Sequence, residues 1–95
     1  MINLEQRYIE FIKKTVAKHL SNYTLYMFGS RVTGRAKKYS DIDIAIKSDN
    51  FTQEIKNKLQ MEFDNSTLPY EVDIINLNEI SDTFRNIIKD TLVEI

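Results

Sequence analysis

Phe28-Gly29-Ser30-Arg31, then Tyr39-Ser40-Asp41-Ile42-Asp43-Ile44-Ala45-Ile46, then Tyr70-Glu71-Val72-Asp73-Ile74-Ile75: these three stretches decide how the chain reads. Over 41–47 the residues alternate strictly. Ile42, Ile44 and Ile46 fall on one face of a strand, and Asp41, Asp43, Ala45 and Lys47 on the other. Polar residues on the wet face of a strand are unremarkable. Carboxylates alternating with isoleucine, with a third acid in another apolar stretch, need a reason to crowd together. The pattern points to a site for metal ions and a triphosphate.

Working outward, 24–28 is short, aromatic and apolar, a buried strand stopped by Gly29. Residues 30–38 are polar and basic around Gly34 and read as a short helical turn followed by a loop. Upstream, Leu4, Tyr8, Phe11, Ile12, Thr15, His19 and Leu20 recur at helical spacing, with Asn3 as N-cap and an end near Ser21-Asn22. Downstream, Phe51, Ile55, Leu59 and Phe63 mark a second long helix, broken by 64–69. The third strand is 71–76. A last helix, capped by Asn78 or Ser81, carries Ile80, Phe84, Ile87, Ile88 and Leu92. The expected architecture is α/β: a small mixed sheet of about three strands flanked by helices. A helical connection between the second and third strands implies a parallel pair. The shorter connection between the first and second allows an antiparallel one. Gly29-Ser30, Asp41, Asp43 and Asp73 then converge on one rim of the sheet.

Residues i and i+2 of a strand lie about 6.6 Å apart on one face. Two carboxylates at that spacing reach over a pair of cations roughly 3.5–4 Å apart, as two-metal sites require. Mg²⁺ suits an all-oxygen set shared with phosphate and water. Asp73 supplies a third ligand or a general base for an attacking hydroxyl. Gly29 permits close backbone approach, and the amides after it offer donors to phosphate oxygens. Ser30 adds a hydroxyl, while Arg31, Arg35, Lys37 and Lys38 add positive charge. The candidate catalytic and metal-binding residues are therefore Asp41, Asp43 and Asp73. The candidate nucleotide-binding residues are Gly29, Ser30, Arg31, Lys38 and Ser40.

Each motif alone is weak. An isolated Asp-x-Asp is mostly a solvated strand edge, and a basic run mostly a wet loop; their combination is what carries the reading. His19 is explained by packing near a helix C-terminus. Tyr8, Phe11, Phe63 and Phe84 read as core, and Tyr39 as a loop residue covering the sheet edge.

The 95 residues suit one domain spanning 1–95. With 13 basic and 14 acidic residues the net charge is −1, without the basic field of a protein that tracks extended nucleic acid. There is no cysteine, hence no disulfide, thiolate metal site or catalytic thiol. Neither a basic leader nor an apolar run of the roughly 18 residues a membrane helix needs is visible. The expected setting is cytoplasmic, away from membranes.

The run 28–44 resembles the signature of the polymerase-β-type nucleotidyltransferase superfamily. More narrowly, the chain is similar to the minimal nucleotidyltransferase (MNT) family, the antitoxin half of HEPN–MNT toxin–antitoxin pairs. The likeness covers nearly the whole chain, Pro69 and Glu71-Val72-Asp73 included, with both glycines, Ser30 and all three acids in position. It implies a polymerase-β palm-like nucleotidyltransferase fold, two Mg²⁺ ions, ATP as donor, and transfer of AMP to a hydroxyl. It also implies the acceptor: a tyrosine of a small helical HEPN ribonuclease, in a hetero-oligomer. The length agrees, since one helix after the third strand leaves no second domain as an acceptor wall. A competing reading is a non-catalytic nucleotide-binding subunit or antitoxin that neutralises its partner by occlusion. Transfer to a small molecule ranks last.

Overall fold

The alternation over 41–47 is realised as a central strand, and the rest of the sheet is built around it. The structure is a computed structural model describing residues 2–37 and 39–95. Four strands, β1 (Thr24–Phe28), β2 (Ile42–Lys47), β3 (Val72–Asn76) and β4 (Val93–Glu94), lie in the order β3-β2-β1-β4. β1 runs antiparallel to β2 and to β4, and β2 runs parallel to β3. The helices are α1 (Gln6–Ala17), α2 (Ser30–Thr33), α3 (Gln53–Asp64) and α4 (Asp82–Ile88). The parallel β2–β3 pair is joined through α3, as the helical spacing of 51–63 requires.

The period-two pattern divides the molecule. Ile42, Ile44 and Ile46 are fully buried, in one core with Ile12 and Val16 of α1 and Leu59 and Phe63 of α3. Each such isoleucine contributes about 1.5–3 kcal/mol by leaving water. On the other face, Ala45 packs with Phe28, Leu77 and Ile88 of α4 in a smaller core. That second face also carries Asp43 and Asp73.

Helix starts follow side-chain chemistry where a cap is present. Thr52 accepts from Ile55 N at 3.2 Å to open α3, and Ser81 accepts from Phe84 N at 3.1 Å to open α4. Asn3 is not the cap of α1. The helix begins after Glu5, and Asn3 instead exchanges two hydrogen bonds with Arg31. The helix also ends earlier than its apolar spacing predicts, at Ala17, with His19 and Leu20 in the following turn.

Two further expectations are corrected. The sheet has a fourth strand, because the last helix stops at Ile88. A 3₁₀ turn (Lys89–Thr91) follows, and Val93–Glu94 closes the free edge of β1, with Ile95 N donating to Leu25 O at 3.0 Å. Leu92, at helical spacing from Ile88, lies outside the helix. Phe11 and Phe84 each remain 36% exposed, unlike Phe63. Both sit at the margins of their helices and touch the core edge-on, Phe11 against Phe63 and Phe84 against Phe28. Among the described residues, no helix is long and apolar enough to cross a membrane.

Candidate active site

Backbone conformation at Gly29 sets the geometry. β1 ends at Phe28, and Gly29 turns the chain into α2 with φ 83° and ψ −155°, a region essentially reserved for glycine. A Cβ there would also overlap Asp43 Oδ2. The backbone of the turn therefore lies directly against the Asp43 carboxylate, an approach only glycine permits. The carbonyl of Gly29 accepts from Val32 N and Thr33 N. The amides of Ser30 and Arg31 have no acceptor among the described residues.

This contact gives a first prediction. Gly29→Ala is expected to destabilise the fold by about 2 kcal/mol, from the disallowed φ together with displacement of Asp43. Adding Asp43→Ala should recover part of that loss in urea unfolding. Equal losses in the single and double variants would mean that the Asp43 contact carries none of the cost.

Strand register brings the acids together. Asp43 is the direct cross-strand partner of Phe28 on one side and of Asp73 on the other. Burial pushes the Asp43 carboxyl up to about 6, helped by the charges of Asp73 and Asp41 and by a hydrogen bond with Asp73. Asp41 lies just before β2, exposed yet within electrostatic reach of Asp43. Among the described residues, no three acidic, histidine or cysteine side chains are gathered into a finished metal site. What exists is a close pair, Asp43 and Asp73, with Asp41 at its rim.

Asp43 titrates near 3.8 when unperturbed and near 6 in the fold, so the native state holds the extra proton between those values. Stability should fall as pH rises through that window, and the cost is complete above it. The rise from 3.8 to about 6 corresponds to ~3 kcal/mol; partial solvent screening reduces this to about 1–2 kcal/mol. Asp43→Asn, melted in EDTA at neutral pH, should therefore gain on the order of 5 °C. The gain should vanish below the ordinary aspartate range. A variant that melts lower than the parent at neutral pH would contradict the crowded-acid geometry.

Arg31 departs from its expected role at phosphate. It is buried, with 4% exposure. Its Nε and Nη2 donate to Ser40 O at 3.1 and 2.7 Å, and Nη1 donates to Asn3 O at 2.8 Å. The guanidinium lies over the Tyr70 ring, 4.1 Å from its centroid, and Tyr70 in turn meets Tyr8 edge-on. One side chain thus fastens α2 to the residue before Asp41 and to the approach of β3, three residues before Asp73. Ser40 is likewise structural: its Oγ accepts from Lys37 N at 2.7 Å. Lys38, the other basic candidate, lies outside the described residues. His19, given no chemistry, contacts Glu62 at 3.1 Å, away from the acids. The sequence reading missed Asn3 and Tyr70 as partners of Arg31. An aromatic directly after Pro69 was the only available signal.

Residues 9–95 match the family described as nucleotidyltransferase domain. The chain belongs to the nucleotidyltransferase domain family. It is 35% identical, over 99% of its own length and 83% of the relative's, to a Haemophilus influenzae protein named "probable protein adenylyltransferase MntA". Among solved structures, it resembles a chain of a toxin–antitoxin complex with AMP-PNP (TM-score 0.76, 23% identity, 90% of this chain and 69% of that one). It also resembles a chain from a complex of tri-AMPylated Shewanella oneidensis HEPN toxin with MNT antitoxin. There the TM-score is 0.73 and identity 22%, over 96% of this chain and 71% of the other. These structural likenesses establish the nucleotidyltransferase fold. In this nucleotidyltransferase, the Gly29 turn and the Asp43–Asp73 pair meet at one rim of the sheet.

Proposed function

We propose that this nucleotidyltransferase acts as one domain over 1–95, transferring AMP from ATP, with Mg²⁺, to a hydroxyl of a small helical HEPN-type partner. The acceptor is a tyrosine, the setting cytoplasmic, and the outcome neutralisation of the partner as a toxin. The observation that carries the reading is the packing of the Gly29 backbone against Asp43, which brings phosphate donors and acids together. The relationship to the MntA protein supports a protein acceptor.

The donor set fits magnesium. Asp43 and Asp73 are carboxylate oxygen donors side by side in the ladder, and burial, with the neighbouring charges of Asp73 and Asp41, raises the Asp43 carboxyl to about 6. A hard divalent ion relieves the same repulsion. Asp41, Asp43 and Asp73 would hold the metal, with phosphate oxygens and water completing its shell. When bound, Mg²⁺ neutralises phosphate charge and eases departure of pyrophosphate.

The remaining chemistry belongs to the chain. The free amides of Ser30 and Arg31 and the Ser30 hydroxyl hold phosphate oxygens, while Gly29 keeps the approach clear. The Asp73 carboxylate takes the proton of the acceptor hydroxyl. The hydroxyl oxygen bonds to the α-phosphorus as the bond to the bridging oxygen breaks, releasing pyrophosphate. The side chains of Arg31 and Ser40 hold the turn and the acids in register rather than touching nucleotide.

The test is isotopic. With Mg²⁺ and a co-encoded helical partner, label from α-labelled ATP should appear on the partner and label from γ-labelled ATP should not. EDTA should abolish the transfer. If the partner is neutralised without ever being labelled, the occlusion reading replaces this one.

A further inference from the structure

The second face of the sheet holds more than the acids. At its far end, four residues along β2 from Asp43 and about 13 Å away at strand rise, lies a cavity of about 490 Å³. Tyr26, Lys47, Leu77, Arg85, Lys89 and Leu92 line it. Tyr26 sits opposite Ala45 in the ladder, so it stands on the same face as Lys47. The packed contacts of Ala45, Leu77 and Ile88 separate this cavity from the acid pair.

The lining contains three cations and no acidic side chain. Arg85 is fixed in place, its Nη2 donating to Leu77 O at 2.6 Å, and the one acid that pairs with it among the described residues is the exposed Asp82, at 3.4 Å. Lys47 and Lys89 form no ion pair among the described residues. Glu94, opposite Tyr26 across the β1–β4 pair, and Asp82 are the acids beside the cavity, and the three lining cations outnumber them, leaving a local positive charge in a chain of net charge −1. Lysine ammonium groups and an anchored guanidinium suit a phosphomonoester dianion. Leu77, Leu92 and the Tyr26 ring supply an apolar floor on which a base can lie. The volume falls within the roughly 300–1,000 Å³ of small-molecule sites.

We propose that this cavity is a second binding site, separate from the acids, for a nucleoside monophosphate. The cations take the phosphate, and Tyr26 with the leucines takes the nucleoside. Site-resolved NMR titration of the whole chain in EDTA tests this, with AMP, inorganic phosphate and adenosine as probes. AMP should produce saturable shifts at the amides of Lys47, Leu77 and Lys89, binding at least tenfold more tightly than phosphate or adenosine. Lys47→Glu with Lys89→Glu should weaken AMP at least tenfold there and leave responses at Gly29 and Ser30 unchanged. Both lysines are exposed, so the reversals spare the core, and spectral dispersion verifies the fold. Three results would overturn the proposal: no saturable shift, AMP binding no tighter than phosphate (the mark of an unspecific anion patch or a seat for an acidic peptide), or undiminished AMP binding in the variant.

Discussion

Asp43→Asn should yield a folded protein, more stable than the parent in EDTA, that transfers AMP at least roughly 10³-fold more slowly. The side chain keeps its shape and loses its charge. Asp43 lies between Phe28 and Asp73 in the ladder and touches the backbone turn at Gly29. Among the described residues, no other acid meets both the Gly29 turn and the Asp73 carboxylate. Asparagine removes the repulsion that burdens the metal-free fold, and with it the anionic oxygen that a bound metal requires. Stability and activity should therefore move in opposite directions, which a variant that merely damaged the fold could not produce. The measurement is transfer from α-labelled ATP alongside a melting curve. Retained labelling in this variant would remove Asp43 from the chemistry.

The second large effect concerns folding. Arg31→Ala should destabilise the chain by about 3 kcal/mol, because carbonyls buried around the guanidinium lose charge-assisted donors and the Tyr70 ring loses its cover. For a chain of this size the melting temperature should fall on the order of 15 °C. Arg31→Lys should recover only part, since a point ammonium cannot bond the Asn3 and Ser40 carbonyls with the same planar fork. Urea unfolding reads the difference directly. A loss below about 1 kcal/mol would free Arg31 from this structural role and return it to the nucleotide.

The contrast between these two residues shows what the sequence makes legible. Asp43 could be read because strict alternation with three isoleucines fixes its face. The helical crossover of 51–63 then fixes the parallel register that brings Asp73 alongside it. Both are consequences of periodicity, which a sequence carries openly. Arg31 could not be read that way. It stands in a basic, irregular segment where solvated charge is the ordinary case, and its partners are main-chain carbonyls 9 and 28 residues away. Backbone carbonyls leave no trace in residue identity. β4 escaped for another reason: two residues are too few to show an alternation, and Leu92 continues the helical spacing past the helix end. Helical spacing places Phe11 and Phe84 in the core because it locates a helix face only to within its margins.

The division of the sheet into a face that is apolar except for the buried Asn76 and a face carrying charge has an evolutionary consequence. Substitutions among Ile42, Ile44, Ile46 and the helix residues above them change how much of the protein is folded, and reach the acids only through that. Substitutions on the opposite face can alter charge, ligand and partner while the principal core stays whole. In a mutational library sorted separately for abundance and for transfer, the two faces of β2 should segregate residue by residue. A sheet arranged this way lets selection explore new acceptors while the principal core that supports the fold remains undisturbed.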